Sequence, residues 1–206
     1  MANGTNRLAI FLQCLVATGK FHQYGVFPVR FALAVSAPAV VGGIAGALLA
    51  TTMGDEEFKR WLAALMVVMT LVSLYRPGWK PGASPGTLSR PRWAAVFAAF
   101  FLAGIYGGFI QAGVGFLLLG CMALTGYDLV AGNAVKVFVV LLFTTAALVV
   151  FVAAGKVEFL PGLVLGSGNV AGALAGAKTT VVKGNRFVQA FFTVTILLFA
   201  ALLILR

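Results

Sequence analysis

Two positively charged residues stand inside apolar runs, and they are the first candidates for chemistry in this sequence. Lys136 lies several residues into the apolar run 129–154, and Arg7 holds a similar place at the start of the run that ends at Gly19. An ionisable side chain among apolar residues is costly to keep, so it indicates a binding site by default. The alternative is that both side chains extend from near a helix end to a polar interface.

A glycine-rich segment is the second candidate. The apolar run 93–125 contains five glycines between Gly104 and Gly115, and Gln111 lies among them. Glycine weakens a helix, and a break exposes backbone N–H groups and a new helix N-terminus, which together favour anions. Polar residues of neighbouring runs could converge on this break or could instead bond helix to helix; they are Thr5, Asn6, Gln13 and Asn133.

Acidic residues are missing from the places where cation transport would need them. All of them lie in loops or at the ends of apolar runs: Asp55, Glu56, Glu57, Asp128 and Glu158. Pumps and cation-coupled carriers usually place carboxylates inside the membrane. Positive side chains, backbone donors and the absence of intramembrane carboxylates therefore favour a small anion as the ligand.

Other chemistry has little support. His22 lies alone in a loop, and Cys14 and Cys121 sit in apolar runs without metal-ligand spacing. No nucleophile–base pair and no phosphate-binding loop is present. We therefore expect no enzymatic activity, no bound metal and no cofactor.

Composition sets the class of protein. Of the 206 residues, 61% are hydrophobic and only 10% are charged, whereas a soluble domain has roughly 25% charged residues. The sequence therefore predicts an all-α, polytopic membrane protein, because helices satisfy their own backbone groups within lipid. The net charge of +10 comes from Lys and Arg at the ends of apolar runs, which is typical of positive-inside anchoring rather than nucleic-acid binding.

The chain divides into two similar parts. A linker rich in Pro, Gly, Ser and basic residues, 76–92, separates a first repeat, 1–75, from a second repeat, 93–206. Each repeat has a small, polar and basic patch, at residues 3–7 and 132–136, followed by a glycine-rich helix and a charged turn. This pattern predicts an internal repeat, which is common in transporters.

The run 93–125 decides the expected topology. As one helix its 33 residues would reach about 50 Å, longer than a hydrocarbon core of about 30 Å, so it must break or turn back. A hairpin makes the two repeats inverted and gathers more Lys and Arg on the side of 76–92, which is then cytoplasmic. The first repeat has no counterpart of this run. We therefore expect that the first part of repeat one is missing, in a fragment or through a missed upstream start.

Two glycine patterns predict close helix packing. Gly42 and Gly46 in the first repeat, and Gly168, Gly172 and Gly176 in the second, have the GxxxG spacing that lets helices approach each other. Such contacts form within one chain or between copies, so a homo-oligomer is among the expected assemblies, beside the lipid bilayer.

These features resemble the sulfite exporter TauE/SafE family of membrane transporters. The similarity rests on the Gly-Thr-Asn-Arg opening at residues 4–7, the Tyr-Gly-Gly-Phe segment at 106–109 and its continuation to Gly-Val-Gly at 113–115, and the Gly-Ala-rich helix of each repeat. The resemblance implies a two-repeat helical fold that moves sulfite, sulfonates or other small organosulfur or carboxylate anions across the bacterial inner membrane. It also implies a substrate path lined by Gly107, Gly108, Gln111, Gly113 and Gly115.

Three functions remain open. The first is a transporter or exporter of a small anion that works by alternating access, with Lys136, Arg7 and the polar residues beside them as ligands. The second is an anion channel, in which the glycine break serves as the selectivity filter. The third is a membrane scaffold or fragment that transports nothing.

Overall fold

In the computed structural model, described for residues 1–54, 56–62, 64–65 and 88–204, every regular element within those ranges is a helix. Most of the predicted linker 76–92 lies outside them. The helices with defined bounds are α1 (Ala2–Gln23), α2 (Val29–Thr52), α3 (Arg90–Phe109), α4 (Val114–Ala123), α5 (Leu129–Ala153) and α6 (Phe159–Ile204). Residues 56–62 and 64–65 are also helical. Non-helical backbone at Gly184 divides α6 into two parts. The prediction of an all-α fold is confirmed.

Among the described residues, four helices are long and apolar enough to cross a membrane. They are α2, α3, α5 and the first part of α6, Phe159–Gly184. Each has at least 20 residues, and at 1.5 Å per residue that length matches a hydrocarbon core of about 30 Å. The chain is therefore a multi-pass membrane protein.

The backbone breaks between α3 and α4. α3 ends at Phe109 and α4 begins at Val114. Gln111 and Gly113 between them have left-handed backbone, with φ of 72° and 75°. Glycine adopts this conformation freely, whereas glutamine does so at a cost that its surroundings must offset. The 93–125 run is thus two helices with an irregular turn between them.

The two helices of this element return to the same end of the bundle. Trp93, near the start of α3, and Tyr127, after α4, both pack on the ring of Phe31, with ring centroids 5.7 and 4.8 Å away. At the other end, Phe109 contacts Phe58 with centroids 5.5 Å apart. The turn between α3 and α4 therefore lies toward the end of the bundle opposite Phe31.

Glycines let α2 and α3 approach each other at backbone distance. A methyl group added to Gly42 or Gly46 would collide with the carbonyl oxygens of Phe101 and Ile105 in α3. From the other side, a methyl group on Gly108 would collide with the carbonyl oxygen of Gly43. This close contact confirms the packing role predicted for the Gly42–Gly46 pattern.

The second glycine pattern has a different environment. A methyl group added to Gly168, Gly172 or Gly176 would meet no atom within 4 Å. In the most apolar 18-residue stretch of this part of α6, only 11% is buried inside the protein, whereas the corresponding stretches of the other three spans are 39–44% buried. Within the described chain no helix therefore lies against this face, and packing of these three glycines against another copy stays a prediction.

α1 and α5 hold the two halves of the bundle together. α1 packs mainly on α6 and α5, while α5 also contacts α2, α3 and α4. The main apolar core lies where these helices meet and includes Val35, Phe100, Leu118, Val139 and Phe143. Because α5 touches each of the other five helices with defined bounds, side chains on its different faces reach different parts of the bundle.

Candidate functional site

Arg7 binds the end of α3. Its side chain is fully buried. Nη1 donates to the carbonyl oxygen of Gly107 at 3.2 Å and to Oε1 of Gln111 at 2.9 Å, and Nη2 donates to the carbonyl oxygen of Gly108. The guanidinium also lies over the ring of Phe151, 4.6 Å from its centroid. The last carbonyls of a helix lack partners within the helix and carry partial negative charge, so a buried cation is stabilised there.

Two further contacts fix the turn. Nε2 of Gln111 donates to Oγ1 of Thr144 in α5 at 2.9 Å. Nδ2 of Asn3 donates to the carbonyl oxygen of Phe109, the last residue of α3, at 2.9 Å. Asn3 and Arg7 therefore satisfy backbone carbonyl groups that the end of α3 would otherwise leave without partners in an apolar environment. Thr144 satisfies the side-chain amide of Gln111.

Lys136 lies beside the start of α4, after the turn, whereas Arg7 contacts the end of α3, before it. A Cβ atom built on Gly115 would lie 3.5 Å from Cδ and 4.0 Å from Nζ of Lys136. Within the described part of the chain, no side chain forms a hydrogen bond or ion pair with the ammonium group. Its positive charge therefore has no counter-charge there.

The start of α4 is itself electropositive. Val114 donates its N–H to the carbonyl oxygen of Gln111, and Phe116 donates to that of Gly113. The amide of Gly115, between them, has no backbone acceptor among the described residues. A helix N-terminus carries about half a positive charge, so Lys136 and the N-terminus of α4 repel each other unless an anion lies between them.

A cavity of about 410 Å³ opens beside Lys136, between α1, α5 and α6. Its polar lining comes from all three helices and consists of Gln13, Asn133, Lys136, Asn169 and Thr180. The glycines of α6 that pack on no described helix form part of the same wall. Oδ1 of Asn133 is buried and has no hydrogen-bond partner among the described atoms.

The predicted site residues fall into separate groups. Arg7, Gly107, Gly108 and Gln111 meet at the end of α3, with Gly113 capping α4. Gly115, Lys136 and Asn133 lie along the start of α4 and the cavity.

Thr5 and Asn6 belong to neither group. Oγ1 of Thr5 accepts from the backbone N–H of Glu158 at 3.0 Å, and Asn6 is exposed. Both residues therefore lie at the surface end of α1 rather than with the buried charges.

Some residues of these groups were not predicted from the sequence. Thr144 and Phe151, which contact Gln111 and Arg7, stand in an apolar run. Helical periodicity could have found Thr144, because it lies eight residues, or about two turns, after Lys136 in the same helix. Asn169 and Thr180 follow the glycine pattern of α6, and no signal in the sequence distinguishes them from other polar residues of that helix.

The known proteins that this chain resembles are all described as membrane transporters or exporters. The family model described as "Sulfite exporter TauE/SafE" matches residues 1–203. A "Probable membrane transporter protein" of Haemophilus influenzae is 26% identical over 190 residues, which cover 92% of this chain and 74% of that protein. A "Probable membrane transporter protein ORF9" of Sinorhizobium sp is 27% identical over 189 residues, covering 90% and 71%. No solved structure gives a significant match.

Proposed function

Because the chain belongs to the sulfite exporter TauE/SafE family, we propose that it transports a small sulfur-containing or carboxylate anion across the bacterial inner membrane. The observation that carries this proposal is the position of Lys136. Its ammonium group faces the positive N-terminus of α4 and has no counter-charge among the described residues. An anion bound between the two would offset both positive charges.

The two buried cations have different roles in this proposal. Arg7 contacts the carbonyl oxygens of Gly107 and Gly108 in the last turn of α3 and the side chain of Gln111 in the turn that follows, and these contacts occupy Nη1 and Nη2. Arg7 is therefore a positioning residue that keeps the turn in place. The ammonium group of Lys136 donates no hydrogen bond within the described chain, so its N–H groups bind the anion together with the amide of Gly115.

Alternating access is part of the proposal. The α3–turn–α4 element and the repeated sequence pattern of residues 1–75 and 93–206 support two halves that rock around the anion site. A carrier of this kind gives flux that saturates with anion concentration. Flux that rises linearly over the same range would instead favour the anion channel.

The test is anion uptake by the full chain reconstituted in proteoliposomes. We expect saturable sulfite uptake that falls at least about tenfold in Lys136→Ala and recovers in part in Lys136→Arg, since each tenfold loss corresponds to about 1.4 kcal/mol of binding. Lys20→Ala is the matched control, because it removes a lysine from the last turn of α1, whose Nζ bonds only to Gln23 within the described chain. Equal uptake by the Lys136→Ala and Lys20→Ala proteins would contradict the proposal.

A further inference from the structure

Two side chains hold the turn between α3 and α4, and they contact different parts of it. Arg7 contacts three residues between 107 and 111, on the α3 side of the turn. The hydroxyl group of Tyr106 contacts the other side, because it donates to the carbonyl oxygen of Ala112 at 2.5 Å. Tyr106 therefore links the last turn of α3 to a residue two positions before α4.

The backbone of Tyr106 contacts the same turn. Its carbonyl oxygen accepts from the N–H of Ile110 at 2.9 Å and from the N–H of Gln111 at 3.4 Å. The carbonyl group of Tyr106 thus binds the start of the turn while its hydroxyl group binds Ala112 near the end. Because Tyr106 lies within a helix, it holds Ala112 at a defined place relative to α3.

Packing does not fix the residues directly before α4. Ala112 and Gly113 are both exposed, and Gly113, the N-cap of α4, has left-handed backbone with φ of 75°. Glycine adopts many backbone conformations at little cost, so Gly113 alone does not determine the direction in which α4 begins. Among the described residues, no side chain other than that of Tyr106 forms a hydrogen bond with residues 112–115. This hydrogen bond is therefore the side-chain contact that fixes the backbone before α4.

We propose that Tyr106 is a positioning residue for the transported anion. The proposed anion lies between Lys136 and the start of α4, where it binds the amide of Gly115, three residues after Ala112. A backbone amide binds an anion well only when its N–H points at it, because hydrogen bonds weaken steeply as they bend. By holding Ala112, Tyr106 keeps this amide directed at the site beside Lys136. The inference rests on the proposed function, since it assumes that an anion binds there.

The test is the concentration dependence of sulfite uptake by the full chain in proteoliposomes. Tyr106→Phe removes the hydroxyl group and keeps the ring. We expect the half-saturating sulfite concentration to rise about three- to tenfold, as the loss of one hydrogen bond allows, while the maximal rate stays within about twofold. The melting temperature should fall by no more than about 4 °C.

Tyr127→Phe is the matched control. The hydroxyl group of Tyr127 forms no hydrogen bond within the described chain, and its ring packs on Phe31, at the end of the bundle away from the turn. Its half-saturating sulfite concentration should stay within about twofold of that of the unmodified protein. Equal half-saturating concentrations in Tyr106→Phe and Tyr127→Phe would overturn the inference.

A double variant tests whether Tyr106 acts through the start of α4. Gly115→Ala places a methyl group in the proposed anion site beside Lys136. Effects on one shared site do not add. In the Gly115→Ala protein, Tyr106→Phe should therefore raise the half-saturating concentration by less than about twofold. A further rise as large as that in the unmodified protein would mean that Tyr106 acts elsewhere, and would contradict the inference.

The same measurements separate this inference from the function on which it rests. A merely structural Tyr106 would show itself if Tyr106→Phe failed to fold, or lowered the maximal rate with an unchanged half-saturating concentration. Either result, with uptake that still depends on Lys136, overturns the inference alone. Absence of saturable sulfite uptake in the unmodified protein, or uptake unaffected by Lys136→Ala, contradicts the proposed function, and the inference fails with it.

Discussion

Nη1 of Arg7 lies 2.9 Å from Oε1 of Gln111, although 104 positions separate the two residues. Arg7 belongs to the first helix, and Gln111 has left-handed backbone in the turn between α3 and α4. A non-glycine residue persists in such a conformation only where its surroundings determine it. The hydrogen bonds from Arg7 and to Thr144 supply that constraint, so α1 fixes the conformation of a turn that belongs to the second half of the chain.

Arg7→Lys should destabilise the protein although it keeps the charge. The single ammonium group of lysine cannot reproduce the fork that serves Gly107, Gly108 and Gln111 together. Hydrogen bonds to charged groups contribute about 1.5–3 kcal/mol each, so we expect a loss of at least about 2 kcal/mol in the free energy of unfolding, measured in detergent micelles.

The exposed Arg92 in α3 provides the control. Arg92→Lys should change the free energy of unfolding by less than about 0.5 kcal/mol, as for most surface substitutions. Similar effects of the two substitutions would mean that the contacts of Arg7 with the turn are not important for stability.

Gly46→Ala and Gly172→Ala should have opposite effects. The methyl group at Gly46 meets the backbone of Ile105, whereas at Gly172 it meets no described atom. Overpacking costs about 1–3 kcal/mol, while replacing a helical glycine by alanine gains up to about 1 kcal/mol where space allows. Unfolding in the same detergent would measure both changes. Destabilisation by Gly172→Ala as large as that by Gly46→Ala would reveal a helix packed on the glycine face of α6.

The sequence predicted the helical class better than it predicted contacts between helices. Composition and run length act locally, so they indicate where helices lie. The acceptors of Arg7 and the empty face of α6 depend on which helices meet across the bundle. Gly46 and Gly172 illustrate why sequence does not predict contacts. Both lie in glycine patterns with the same spacing, but Gly46 packs on another helix and Gly172 has no atom of the described chain against it.

Gly115→Ala should weaken anion binding without weakening the fold. Its methyl group would lie at ordinary contact distance, 3.5 Å from Cδ and 4.0 Å from Nζ of Lys136, so no clash is expected. It would occupy the space between Lys136 and the start of α4, where we propose that the anion binds. The expected result is at least a tenfold rise in the half-saturating sulfite concentration in proteoliposomes, with unchanged or higher thermal stability.

Gly120 in the same helix is the matched position, because a methyl group there meets no atom within 4 Å. Gly120→Ala should leave the half-saturating concentration within about twofold of the unmodified protein. If both alanine variants transported sulfite normally, the anion would have to bind elsewhere than beside the N-terminus of α4.

The ends of α3 give a direct test of membrane orientation. Ser89 precedes α3 and is exposed at the Phe31 end of the bundle, and Glu57 is exposed beside Phe58, near the far end of α3. The basic residues around Ser89 predict that this end is cytoplasmic. In intact cells, a membrane-impermeant thiol reagent should therefore label Glu57→Cys but not Ser89→Cys, while both react in opened membranes.

Cys14 is buried and Cys121 partly buried, so a protein without either substitution sets the background. Labelling of Ser89→Cys alone in intact cells would reverse the proposed orientation, and with it the direction in which the cavity beside Lys136 faces the cell.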